Sequence, residues 1–299
     1  MMKNISKYIL VFGLLCTLIP SCKEQYITYS GPEYVMFADT ASTYAVQREA
    51  DIFKIPVVST VVCDYDRTFG VEVVDSSSTA IEMRHYRLLS NTVTIKAGQT
   101  RADVMVQGYY DNIVDEEFPS FTLQLVINDA LEMPLYGKRT KAVLMKSCPF
   151  RIQDFTGWCV LSSMFLSQYS QTGDYNRLIY TEQHPTIPNA VICRDWLRDG
   201  YDVIIRFDDN DLLTPRVSMD KYQVASDQGY FFGTAYGDWG DKLMVSGSNL
   251  AESVFYPCGA YLYIWTEIYV EEYGVVGHFY NVMQWVSDEE ADRIKREGF

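Results

Sequence analysis

Alternation constrains this chain most. In Val71-Glu-Val73 and again in Phe121-Thr-Leu-Gln-Leu125, apolar and polar side chains change places at every step. That period sends successive side chains to opposite faces of an extended strand, one face to a core and the other to solvent. Runs of this kind recur at short intervals between turn residues and predict strands at 34–38, 52–58, 69–74, 92–95, 102–107, 121–127 and 142–145. No helical spacing interrupts them. The pattern predicts an all-β first domain over 34–147, an immunoglobulin-like β-sandwich.

Pro149 restricts the residue before it and marks a junction at Lys146-Ser-Cys-Pro149-Phe150. Beyond it the composition changes, for all five tryptophans (158, 196, 239, 265 and 285) follow the junction. Strand signals continue at 157–165, 177–181, 189–193, 201–207, 216–219, 230–234, 242–246, 261–270 and 275–286. They predict a second antiparallel domain over 148–299, either an up-and-down barrel or another sandwich. Tyr261-Leu-Tyr-Ile-Trp-Thr-Glu-Ile-Tyr-Val270 suits a strand covered on both faces or one lining a barrel. The chain then changes character. Ser287-Asp-Glu-Glu290 reads as a capping box, basic residues fill the last turn and Gly298 stops it, which predicts a short C-terminal helix at 288–297.

The middle of the first domain resembles the Calx-beta family. The residues carrying the likeness are Ala80 and Tyr86, Thr92-Val-Thr-Ile-Lys-Ala-Gly98-Gln-Thr100, Val104-Met-Val106, Asp111-Asn112 with Glu116, and Phe121, Leu123 and Leu125. The resemblance implies the sandwich fold and, in the family, calcium held at one sandwich edge by converging carboxylates. Several family ligands are replaced here: the Asp-Asp pair is Asp111-Asn112, the second Glu is Pro119, and the Asp before the Tyr is His85. A solvated acidic turn is therefore the expectation. If an ion binds, it is a single weak calcium at Asp111, Asp115 and Glu116, and no other cofactor is implied. In the second domain, Asp154-Phe-Thr-Gly157-Trp158 resembles the entry strand of lipocalin-like domains.

The first residues bear on location. Lys3 and Lys7 precede an apolar run from Tyr8 to Ile19, and Pro20-Ser21-Cys22 follows. As a helix the run covers about 18 Å, too short for a hydrocarbon core of about 30 Å. A charged start, a short greasy core and a small residue before a cysteine resemble the signal of bacterial outer-membrane lipoproteins of the anaerobic gut-bacterial type. The resemblance implies a signal peptide at 1–21, acylation of Cys22, a tether at 22–33, and a protein anchored to the outer membrane on its periplasmic or cell-surface face. Diacyl or triacyl anchoring is effectively permanent. The formal net charge of −14 argues against nucleic acid or an anionic bilayer surface as partner.

Five cysteines remain beyond Cys22, at 63, 148, 159, 193 and 258. The number is odd, the spacing is irregular and no Cys-x-x-Cys occurs, so small buried hydrophobes are favoured over a disulfide framework or a zinc site. Catalytic signals are thin. The three histidines (85, 184 and 278) are scattered, and no metalloprotease, nucleophile-elbow or phosphate-loop motif is present. Asp208-Asp209-Asn210-Asp211 reads as a turn before it reads as paired catalytic acids.

Two loops mix aromatic and charged residues outside the strand pattern. One offers Trp196, Arg198 and Tyr201, the other Tyr236 and Trp239. Exposed rings stack on sugar faces or anchor protein interfaces, and the plainer alternative is that both tryptophans plug barrel ends. The expectation is a non-enzymatic, lipid-anchored binding or adhesion protein that presents its outer β domain to a glycan or protein ligand. The alternatives are an accessory glycan-binding lipoprotein of an outer-membrane polysaccharide uptake system and, behind it, a glycoside hydrolase-like activity.

Overall fold

The computed structural model describes residues 29–170, 174–226, 242–270 and 274–299. Cys22, Tyr236, Trp239 and the strand predicted at 230–234 lie outside the described residues.

Alternation builds the sandwich as expected. One sheet takes the order β1-β3-β7-β5 from β1 (Val35–Phe37), β3 (Ile52–Ser59), β7 (Arg101–Gly108) and β5 (Tyr86–Leu88). The other takes β2-β9-β8-β4-β6 from β2 (Ala41–Val46), β9 (Arg139–Lys146), β8 (Ser120–Val126), β4 (Arg67–Val73) and β6 (Thr92–Ile95). Leu123, Leu125, Val104 and Val106 are buried between the sheets, and Tyr86 stacks on Phe121 with ring centroids 3.8 Å apart. Gly98 adopts a positive φ of 75° in the turn between β6 and β7, a conformation glycine takes without strain. Sequence reading missed β2. It pairs in parallel with β9, from Ala41 opposite Lys141 to Val46 opposite Lys146, and buries only Val46, so it shows no alternation.

The second domain closes on itself. The ring runs β10 (Gly157–Ser163), β11 (Asn176–Gln183), β12 (Ala190–Arg194), β13 (Val203–Asp208), β14 (Arg216–Met219), β17 (Val254–Tyr256), β18 (Tyr261–Val270) and β19 (Gly274–Trp285), which returns to β10. The hairpin of β15 (Gln223–Ser226) and β16 (Leu243–Gly247) attaches to the distal half of β18, while β17 pairs with its proximal end. The seam between β14 and β17 rests on a single register pair, Arg216 and Val254. The sequence alternatives of barrel or sandwich thus resolve to a barrel.

Side chains fill the interior. Phe155, Phe207, Phe255 and Trp285 form an aromatic cluster, with Phe155 making edge contacts to Phe255 and Trp285 at 5.4 and 5.0 Å. Buried polar groups among the described barrel residues are paired: Trp285 Nε1 donates to Thr181 Oγ1 at 2.8 Å, and Asn281 Nδ2 donates to Thr266 Oγ1 at 3.0 Å. A packed interior of this kind leaves the outer surface to any ligand.

Strand β18 takes the second of its two readings and lines the barrel. It does not have two covered faces: Leu262, Ile264, Thr266 and Ile268 point into the core, while Tyr261, Tyr263, Trp265 and Tyr269 are half-buried on the outside. A short helix, α1 (Met164–Tyr169), replaces the end of the strand predicted at 157–165, with Ser163 Oγ accepting from Leu166 N. The C-terminal helix α2 (Asp288–Glu297) matches its predicted bounds, and Ser287 caps it by accepting from Glu290 N. Glu290 does not reach back as a full capping box requires. Its carboxylate binds Arg293 instead, with Arg293 Nε donating at 2.9 Å. Among the described residues no helix is long and apolar enough to cross a membrane.

The cysteine expectation needs correction. Cys148 and Cys258 form a disulfide, while Cys159 and Cys193 are free and buried and Cys63 is free and half-buried. The bonded pair is separated by 110 positions, a proximity that only tertiary structure creates.

Candidate functional site

A cleft of about 530 Å³ lies between the sandwich and the barrel. The sandwich contributes the loop before β8, with Asp115, Glu116, Glu117 and Phe118, and the end of β9 with Lys146. The barrel contributes Leu212, Leu213, Phe255, Tyr256, Tyr261 and Tyr263, and the disulfide forms part of the wall.

The aromatic wall continues beyond the cleft because of strand register. Tyr256 opposes Tyr261 across β17 and β18, and Trp265 opposes Tyr280 across β18 and β19. Cross-strand neighbours of this kind sit within ring contact. Tyr256 and Tyr261 stack at 4.7 Å, Tyr261 meets Tyr263 edge-on at 5.5 Å, Tyr263 stacks on Tyr280 at 5.5 Å, and Tyr280 lies 5.3 Å from Trp265. The five rings form one strip on the outer barrel surface. Tyr256 is 42% exposed and the others are half-buried.

Two of the phenols are held protonated. Burial, with Tyr263, Glu116 and Tyr256 adding to it, pushes the Tyr261 phenol up to about 12. Burial also raises that of Tyr280, helped by Tyr263 and Tyr256. At neutral pH the Tyr261 and Tyr280 hydroxyls are therefore neutral and both donate and accept. Tyr261 donates to Glu116 Oε1 at 3.4 Å and links the two domains across the cleft.

The candidate calcium ligands are drawn to other partners. Asp111 pairs with Arg48 at 2.6 Å, Asp115 with Lys146 Nζ at 3.2 Å, and Glu116 accepts from Tyr261. Arg48 and Lys146 each lie 4.9 Å from the Tyr110 ring, which binds both cations to this edge. Among the described residues no group of three or more histidine, cysteine or acidic side chains converges to hold a metal. Asp115 and Glu116 line the cleft and Asp111 does not.

Trp196 is corrected most sharply. It is 1% exposed and belongs to the barrel core, so it has no face to offer a ligand. Its loop is fastened by ion pairs, Arg177 with Asp199 and Arg194 with Asp202 and Glu182. Arg198 Nη1 lies 3.4 Å from Ser226 Oγ, and Tyr201 is half-buried with its carbonyl accepting from Trp196 N. Neither lines the cleft. The acidic run at 208–211 is a turn, as its sequence predicts: Asp208 Oδ1 accepts from Asn210 N and Asp211 Oδ1 from Leu213 N.

Sequence reading missed the tyrosine strip. Its signal was present at Tyr261, Tyr263 and Trp265, where aromatic residues hold every second position against aliphatic neighbours.

Comparison with known proteins gives distant likenesses. No curated protein matches the sequence. Among solved structures, the apo form of a Calx CBD1 domain is 13% identical, with a TM-score of 0.32, covering 39% of this chain and 98% of that one. A Bacteroides ovatus protein of unknown function is 13% identical with a TM-score of 0.35, covering 84% and 89%. A third, from Bacteroides ovatus and described as a "putative carbohydrate binding protein", is 11% identical with a TM-score of 0.29, covering 83% and 74%. At these scores the likenesses carry no argument about function. Two families each match more than half of the chain, and their matches overlap across the junction between sandwich and barrel. The chain belongs to both, the domain of unknown function DUF4843 over residues 21–183 and the domain of unknown function DUF4984 over residues 135–297.

Proposed function

We propose that this is an exported, lipid-anchored binding protein without catalytic activity, and that it holds a carbohydrate on the tyrosine strip and in the cleft beside it. The observation that carries this reading is the continuity of five outward aromatic rings with a concave site edged by carboxylates. Rings offer apolar surface to sugar C–H groups, and fixed carboxylates and phenols bind hydroxyls. Concavity favours a small or chain-like ligand over a flat protein partner. Acylation at Cys22 would keep the sandwich near the membrane as a spacer with the barrel presented beyond it.

The test uses the mature chain on a broad glycan array. Retention of at least one glycan class, abolished by Tyr263→Ala and unaffected by Tyr136→Ala on an exposed part of the sandwich, supports the reading. Absence of retention across the array defeats it. Fatty-acid labelling that disappears in Cys22→Ala tests the anchor separately.

A further inference from the structure

The tyrosine strip does not end at Trp265. One register step further along the same outer face, Glu267 of β18 opposes His278 of β19, with the imidazole Nε2 3.9 Å from Glu267 Oε2. Ser246 of β16 opposes Glu267 from the other side. These three residues, with Lys221, Tyr222 and Asn249, line a second cleft of about 260 Å³. The His278 ring is held in place: Ser248 Oγ lies 2.8 Å from Nδ1, and the same oxygen accepts from Leu250 N at 3.1 Å. Anchored through Nδ1, the ring turns Nε2 toward Glu267.

Both clefts therefore share strand β18. Tyr261 and Tyr263 line the first, Glu267 lines the second, and Trp265 with Tyr280 fills the interval. From Tyr261 to Glu267 the strand advances about 20 Å, well beyond the reach of a monosaccharide. Charge narrows the ligand further. Glu116 and Glu117 stand at one end, where Lys146 is already paired with Asp115, and at the other Glu267 shares the lining with Lys221. A polyanion would meet like charge at the first end, and a polycation would meet Lys221 at the second.

We infer that the two clefts are the ends of one elongated site whose ligand is an extended, uncharged oligosaccharide several residues long. This rests on the carbohydrate reading above and assigns its ligand class.

The experiment is a glycan array carrying neutral glucan, mannan, xylan and galactan fragments from one to six residues, beside uronate fragments of the same lengths, probed with the mature chain. Affinity is expected to rise with length to at least the tetrasaccharide. His278→Ala should weaken the hexasaccharide by about tenfold or more, leave the disaccharide unchanged and keep the thermal midpoint of the parent. His278→Gln should recover part of the loss. If the alanine variant does not fold, Glu267→Gln takes its place with the same expectation. A plateau at the disaccharide, or uronates bound in preference, overturns the inference and leaves the carbohydrate reading standing. Binding to no glycan overturns both.

Discussion

Cys148, two residues past the last strand of the sandwich, is bonded to Cys258, in the turn that joins β17 to β18 of the barrel. The Tyr110 hydroxyl lies 2.9 Å from Cys148 Sγ and sets the joint against the sandwich. The bond thus ties the junction between domains to the hairpin that carries Tyr256 and Tyr261. A cross-link closing a loop of this length constrains the unfolded chain by about 4–5 kcal/mol in the chain-entropy account. The Cys148→Ser/Cys258→Ser double variant should lose about 2–5 kcal/mol, and reductant should lower the melting temperature of the parent but not of the variant. Calorimetry with and without reductant decides it, and equal midpoints under both conditions would count against the bond.

Trp196 is predicted to matter for stability alone. It is among the largest fully buried side chains, and its removal leaves a cavity that neighbours refill only in part. Trp196→Ala should cost about 3–5 kcal/mol in urea unfolding and leave ligand retention by the folded fraction intact. A variant of parental stability with lost retention would return Trp196 to the binding surface.

Local patterning made most of the sandwich and barrel strands and helix α2 legible, because alternation and capping are written in neighbouring residues, but β5, β15 and β17, of three or four residues each, are too short to show a period. The strand at 92–95, the strand at 261–270 and the helix at 288–297 have the bounds that the sequence implies. Strand β2 was not legible, since its parallel pairing with β9 depends on a segment about a hundred residues away. Trp196 looked like a loop aromatic because Arg, Asp and Gly surround it, yet ion pairs hold that loop while the ring turns inward. The tyrosine strip and the disulfide were hidden for one reason. Both arise from register and closure between segments, and no single stretch of sequence contains them.

Thiol chemistry should separate the remaining cysteines. Burial pushes the thiols of Cys159 and Cys193 well up, with Cys193 adding to the rise at Cys159 and Asp202 to that at Cys193, so neither ionises near neutrality. Thiolate is the reactive form. Of the described free cysteines, only the half-buried Cys63 should react with a thiol reagent in the native protein, and Cys159 and Cys193 should follow on unfolding. Mass spectrometry of peptides labelled before and after denaturation reads the order. Native labelling of Cys193 would mean that the barrel opens more readily than its packing indicates.

Acid should remove one cross-strand tie before the barrel unfolds. Arg206 binds Asp220 with Nη2 donating to Oδ2 at 2.7 Å, and this holds the Asp220 carboxyl below the usual range. A depressed carboxylate contributes stability that is present above its unfolded value of about 3.9. The contribution is lost as the pH falls through the folded value. Asp220→Asn should therefore be less stable than the parent at pH 7 by a small, solvent-screened margin. The two should converge as the pH drops below about 4. Unfolding curves at pH 7, 4 and 3 test the sign, and a gap that widens in acid would refute the assignment.

Arg67 binds the segment entering the sandwich to its edge. It is 6% exposed, and its Nη1 donates to Glu33 Oε1 at 2.5 Å and to Ser59 Oγ at 2.7 Å, while Nη2 reaches the Gln99 carbonyl. Glu33 is its only carboxylate within ion-pair distance among the described residues. Removing that partner leaves a guanidinium in a site too dry to solvate it, and broken buried pairs cost about 3–5 kcal/mol. Because Glu33 keeps some contact with solvent, Glu33→Gln should cost nearer the lower end, about 3 kcal/mol. Arg67→Met, which withdraws the charge and keeps the volume, should cost less than Glu33→Gln despite deleting more hydrogen bonds. The comparison by urea unfolding distinguishes an uncompensated charge from lost packing: if Arg67→Met is the more damaging, the guanidinium serves chiefly as a hydrogen-bonding post for Ser59 and Gln99.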